Sequence, residues 1–124
     1  MRNVKFRAWH KENKKMYKCY LVSFNNGQCG LQNFGMELRE RIILMEYAGI
    51  KDNNGKYLDW WEGDLFQEQG GPVKQIIKEQ GCFWLVWLKQ PLCKIPLYSV
   101  VDWAESMKKV GNIYENTELL EEKT

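Results

Sequence analysis

Asp59, Glu62 and Asp64 form the densest carboxylate group in the chain, and neighbouring acids can move protons for a substrate or hold a hard cation. Their spacing opposes both uses. Along a strand Glu62 and Asp64 share one face while Asp59 points elsewhere, and neither a calcium-loop pattern nor a third ligand accompanies them. They read instead as turn and edge residues, with Glu62, Gly63 and Asp64 forming one structural motif and Gly111 and Asn112 another. His10 is the single histidine, so any imidazole base must be this residue. It stands at a polar turn and is expected to be exposed and non-catalytic, because no Ser or Cys nucleophile with an orienting acid can be placed beside it. Gly70-Gly71-Pro72 reads as a connection between strands, not as a phosphate-cradling loop. The expectation is no catalytic residue, no cofactor, no metal and no enzyme; a hydrolase at Glu62 and Asp64 is the weakest reading.

One pattern points to binding. Lys5, Arg7 and Trp9 would share the outward face of a first strand, with Lys14 and Lys15 nearby, and cations beside an aromatic face suit single-stranded nucleic acid. The competing use of six Trp in 124 residues is to fill a small core and a subunit contact. The net charge of +2 is modest but uneven. Residues 1–18 carry seven Lys or Arg against Glu12, a net +6, while residues 112–124 carry four Glu against Lys123, a net −3. Basic and acidic ends of this kind attract, within one chain or between copies. Cys19, Cys29, Cys82 and Cys93 lie ten, 53 and eleven residues apart, unlike the paired knuckles that hold zinc. All four read as structural thiols, with Cys82 a small core residue in an apolar run.

These residues must be positioned by strands. Hydrophobic residues make up 44% and charged residues 27% of the chain, enough for one domain with its own core. No apolar run reaches the length of a membrane helix, and Met1-Arg2-Asn3-Val4-Lys5 lacks the stretch of a signal peptide. A cytoplasmic protein without membrane contact is expected. Val4, Phe6 and Ala8 alternate with Lys5, Arg7 and Trp9, and residues 16–24 read as the returning strand of a hairpin. Residues 25–35 read as a loop, and 42–50 as a strand, with a short helix over 36–45 as the open alternative. Asn54-Gly55 is the strongest turn pair. Five strands follow, at 60–66, 73–79, 82–88, 95–101 and 110–114, with a helical turn at 102–107 and Gln80-Gly81 as a hairpin turn. That number suits a small closed barrel, whose closure removes exposed edges.

Three blocks carry a family resemblance: Val4-Lys5-Phe6-Arg7-Ala8-Trp9-His10 with Asn13-Lys14-Lys15-Met16; residues 44–56 (LMEYAGIKDNNGK) continuing to Trp61-Glu62-Gly63-Asp64-Leu65; and residues 110–120 (VGNIYENTELL). In order and spacing the chain resembles the YopX family, small proteins encoded mainly by bacterial phages and prophages. Its departures are His10 where the family often has Asp, Glu46 and Ala48 where it has Gln and Thr, and Thr117 where it has Pro. The resemblance implies a mainly β fold with little helix and an SH3-like barrel in the C-terminal half. Residues 1–124 are then a single YopX-like domain: 1–56 a β-hairpin and extension, 57–116 the barrel, 117–124 a loose or weakly helical tail. It also implies a phage or prophage accessory protein in the bacterial host's cytoplasm that assembles with itself, and no reaction. The expected partners are further copies of the chain and another protein, with nucleic acid as the alternative.

Overall fold

Alternating apolar and polar residues at the start of the chain extend as predicted, and the computed structural model is mainly β throughout, describing residues 5–23, 26–68 and 70–120, with backbone alone at 91 and 92. Val4 and Phe24 lie outside the described residues. The chain gathers into two compact units, Met1–Tyr47 and Ala48–Thr124, so the division falls nine residues before the expected 56/57 boundary. Each unit holds one five-stranded antiparallel sheet.

The first unit contains β1 (Phe6–His10), β2 (Lys15–Ser23), β3 (Gln28–Leu31), β4 (Gly35–Leu38) and β5 (Ile42–Glu46), in the order β4-β3-β2-β1-β5. The predicted loop at 25–35 thus contains strand β3 and the first residue of β4. Its many Gly and Asn masked a period-2 signal, Cys29 and Leu31, both of which are fully buried. The helix alternative over 36–45 gives way to β4, a 3₁₀ turn at Arg39–Arg41 and β5. Here the Arg39 N–H bonds the Gly27 carbonyl at 2.8 Å instead of continuing a helix. Ala8, Cys29, Leu31 and Ile42 form the core of one sheet face, supported by Tyr17, Cys19, Val22 and Leu44. Cys19 and Val22 are three residues apart, yet both reach it because β2 bulges between Cys19 and Leu21, the extra residue shifting the side-chain phase.

In the second unit Lys51 bridges Tyr57 around the Asn54-Gly55 turn, where Asp52 Oδ1 accepts the N–H groups of Asn54 and Lys56, each at 2.9 Å. The sheet follows: β6 (Asp64–Phe66), β7 (Lys74–Glu79), β8 (Cys82–Trp87), β9 (Gln90–Pro96) and β10 (Lys109–Asn112), in the order β10-β6-β7-β8-β9. The β7–β8 hairpin turns through Gln80 and Gly81 as predicted, with Glu79 paired to Cys82. Trp60, Phe66, Ile76, Leu85, Leu97 and Val100 pack into its core, and Trp60 meets Phe66 edge-on with ring centroids 5.3 Å apart.

The sheet is not closed, so the expected barrel closure is absent from the pairing. Among the described residues β9 and β10 are its edges. β9 contains Pro91 and Pro96, which cannot donate to a further ladder, and β10 changes register between Lys109 and Gly111. The strand predicted at 95–101 instead occupies 90–96, since proline is tolerated on an edge. Residues Leu97–Trp103 then form a 3₁₀ helix, so the helical turn starts five residues before Asp102. Thr117–Leu119 is a further 3₁₀ turn, within the segment expected to be loose or weakly helical; residues 121–124 lie outside the described set. Among the described residues no helix is long and apolar enough to cross a membrane.

Replacing Phe66 with Ala removes a fully buried ring, with an expected loss of about 3–5 kcal/mol. Urea unfolding followed by tryptophan fluorescence checks this; a loss under about 1 kcal/mol contradicts the packing described.

Candidate functional site

Three places deserve comparison as sites: the basic hairpin of the first unit, the acidic motif of the second, and an apolar pocket in the second. In the hairpin, Lys5 is exposed with its ammonium 5.3 Å from the Tyr47 ring centre. Arg7 is half-buried, and Lys14 and Lys15 are exposed at the turn. Trp9 does share the face of Arg7, but it is only 8% exposed, so it offers no outward stacking platform. The reason lies in the sheet: β1 is flanked on both sides, placing Met16 and Ile43 directly across from Trp9. Alternation predicted its face correctly and its exposure wrongly.

His10 also differs from expectation, being 2% exposed. It remains in the ladder, paired with Lys15 and Ile42, because the turn begins one residue later. Its Nδ1 accepts the Asn13 N–H at 3.1 Å, and its Nε2 lies 2.7 Å from Glu37 Oε2. A backbone N–H can only donate, so Nδ1 carries a lone pair and, in the neutral ring, Nε2 carries the proton and donates to Glu37. Both ring nitrogens are engaged within the protein, and Tyr17 and Phe34 flank the ring at 6.3 and 5.2 Å. Such an imidazole fastens the turn to β4. Glu37 was missed in the sequence, although Met36-Glu37-Leu38 places one acid between two apolar residues. The His10 hydrogen bond, then the Leu38 N–H on Oε1 at 2.8 Å, hold its carboxyl below the ordinary 4.5.

The thiols divide by position. Burial first, and then neighbouring Cys29, push the Cys19 thiol up to about 12; burial also raises Cys29, with Arg39 opposing. Cys82 is exposed, as is Cys93. The apolar run containing Cys82 is a strand, and the residue sits at its turn end opposite Glu79, outside the core.

The Glu62, Gly63, Asp64 and Gly111, Asn112 motifs meet in space. Asp64 pairs with Asn112 and Leu65 with Gly111, while Gly63 donates to the Ile76 carbonyl at 2.8 Å and accepts from the Ile113 N–H at 3.0 Å. Asp64 is 1% exposed. Its Oδ2 accepts the Trp61 N–H at 2.8 Å and lies 3.1 Å from Lys109 Nζ. The same ammonium bonds the Asp59 carbonyl and approaches Asp59 Oδ2 at 3.4 Å. Asp59 and Asp64 therefore do converge, contrary to the strand-parity expectation, because Lys109 reaches both from β10. Glu62 lies in a turn; with burial as the larger cause, its charge helps raise the Tyr114 hydroxyl. Asn112 Oδ1 accepts the N–H groups of Tyr114 and Glu115 at 3.0 and 2.9 Å. Gly111 has φ +149°, and a Cβ there would overlap the Asn116 side chain. The charges and amides of these motifs serve one another, tying β6 to β10.

The third place is a cavity of about 290 Å³ in the second unit. It is lined by Ile50, Phe83, Trp84, Pro96 and the buried Leu97, together with the exposed Cys82 and Tyr98. Sequence reasoning missed it, since strand β8 and the 3₁₀ turn after β9 bring its residues together only on folding. Among the described residues no group of three His, Cys, Asp or Glu could hold a metal ion.

A family model described as YopX protein matches residues 5–121. The chain belongs to the YopX family. Its fold is similar to the crystal structure of protein EF1440 from Enterococcus faecalis, with TM-score 0.64 and 21% identity over 97% of this chain and 99% of that one. No curated protein matches. For this YopX chain, the second and third resemblance blocks are thus the two halves of the β6–β10 lock.

Two variants test these assignments. Because Glu37 has a depressed carboxyl in the folded state, its contribution to stability is present above the ordinary 4.5 and is lost as pH falls through the folded value. Glu37→Gln should lower stability at neutral pH and flatten the acid limb of stability against pH, measured by denaturation from pH 7 downward; an unchanged limb contradicts the assignment. Asn112→Ala strips an acceptor from two backbone N–H groups, with an expected loss of about 1–3 kcal/mol in urea unfolding.

Proposed function

We propose that this YopX protein is a phage or prophage accessory protein that acts by binding and not by catalysis, as a self-associating protein-interaction module. One observation carries the reading: the bare end of the first sheet. Leu21, Gly30 and Met36 lie in register across β2, β3 and β4, with Leu38 two rows along on β4, opposite Gln28. Leu21, Met36 and Leu38 are exposed. Tyr20, 65% exposed, lays its ring over Gly30, where an added Cβ would come within 2.5 Å of it. An apolar sheet face of this kind is a usual mark of a protein contact.

Charge supports a second copy as one partner. The first unit carries nine Lys or Arg against four Asp or Glu, a net +5, and the second carries nine against twelve, a net −3. Copies of the chain therefore present surfaces of opposite sign to one another, which steers association. The nucleic-acid alternative keeps its cations at Lys5, Lys14 and Lys15 but loses Trp9 as a stacking ring. An unidentified protein remains the second expected partner, and the bacterial cytoplasm the expected setting.

Light scattering after size exclusion, over a dilution series, tests the reading. A mass above one chain is expected, with Leu21→Asp and Met36→Asp returning it to a single chain and added salt weakening it. A single-chain mass at every concentration overturns the self-association.

A further inference from the structure

We propose that Asn26 is a site of spontaneous deamidation in this protein, and that the turn around Asn54 withholds the same chemistry there. The chain contains two Asn-Gly steps, Asn26-Gly27 and Asn54-Gly55, each preceded by another Asn and followed by a polar residue. Local sequence therefore does not separate them. Access does not separate them either, since all four residues are exposed and the space beside both glycines is open. Both glycines also have positive φ, +61° at Gly27 and +82° at Gly55. In the reaction the glycine nitrogen gives up its proton to water or hydroxide and attacks the asparagine Cγ. A C–N bond closes a five-membered imide, and the side-chain amide nitrogen takes up a proton and leaves as ammonia. Water then opens either imide C–N bond to give aspartate or isoaspartate. One water is consumed, one ammonia is released and nothing is oxidised or reduced.

The glycine N–H must be lost first, and here the two turns differ. The Gly55 N–H donates to the Asp52 carbonyl at 3.1 Å, while Asp52 Oδ1 accepts the N–H groups on either side of it, from Asn54 and Lys56. The Asp52 N–H closes the loop on the Lys56 carbonyl at 2.8 Å. Deprotonating Gly55 breaks a hydrogen bond and places an amide anion beside a carboxylate, which repels it. Among the described residues the Gly27 N–H has no acceptor; the neighbouring Asn26 N–H goes to Ser23 Oγ at 3.3 Å. The charge near Gly27 has the opposite sign. Its carbonyl accepts the Arg39 N–H at 2.8 Å, and the Arg39 cation opposes the effect of burial on Cys29, two residues further on. A cation there favours the anion that attacks. Each event removes one unit of positive charge from the first unit, and the isoaspartate product adds a main-chain carbon to the turn between the paired Ser23 and Gln28.

The test ages the full chain in mildly alkaline buffer, folded and in urea, and follows both sites by tryptic peptide mass spectrometry with an isoaspartyl methyltransferase tag. Cleavage after Lys18 and Arg39 and after Lys51 and Lys56 puts the two steps in separate peptides, and fragment spectra place the change at 26 or 54. In the folded protein Asn26 is expected to react about fivefold faster than Asn54 or more, the factor set by one ordinary hydrogen bond. In urea the two rates should converge, because the steps share their local sequence. Asp52→Ala should speed Asn54 in the folded chain and leave Asn26 unchanged. Equal folded rates, a faster Asn54, or a ratio that persists in urea overturns the proposal; an Asn54 rate indifferent to Asp52→Ala overturns the turn as the cause of its protection.

Discussion

Removing water from a carboxylate costs a small β-structure several kcal/mol unless donors replace it, on the order of the net stability of a whole domain. Asp64 is the acid on which the second unit depends, and its replacements come from two directions. The Trp61 amide is local, three residues back along the chain, whereas Lys109 arrives from β10 across 45 residues of sequence. Since β6 is only three residues long, its ladder to β10 has few hydrogen bonds of its own. The ion pair, the two bonds of Gly63 and the Asn112 amide network supply the rest of the connection. Asp64 is thereby engaged by Trp61 and Lys109 inside the protein, a structural use of one acid of the cluster.

The first unit uses the same device on a smaller scale. His10 and Glu37 are buried polar residues on β1, an interior strand, and β4, an edge strand, and each satisfies the other while also holding a nearby backbone N–H. The imidazole tautomer follows from that geometry alone, because Asn13 contributes a donor. Glu37 additionally shields the Leu38 N–H, a group on the edge strand of the sheet, where a bare donor would invite pairing with another chain. The neighbouring face is different: there the apolar side chains of β2 and β4 have no cover, and affinity would come from surface burial instead of strand addition.

Membership of the YopX family and the similarity to the Enterococcus faecalis protein fix kinship and fold. They carry no reaction. The proposed interaction reading rests on the exposed apolar face of the first unit.

The sequence by itself determined the mainly β class, the turns at Asn54-Gly55 and Gln80-Gly81, and the alternation of faces along β1, because period-2 alternation and positive-φ turn residues act over a few neighbouring positions. It also exposed the Glu62-Gly63-Asp64 and Gly111-Asn112 motifs, though not their junction. Only the tertiary structure decided whether Trp9 and His10 were exposed, since that depends on strands arriving on both sides of β1. It decided likewise that Lys109 would draw Asp59 and Asp64 together, that Cys82 would lie outside the core, and that the second sheet would stay open at its proline-bearing edge. Burial and charge pairing are properties of several distant segments at once, and no local pattern encodes which of them will meet.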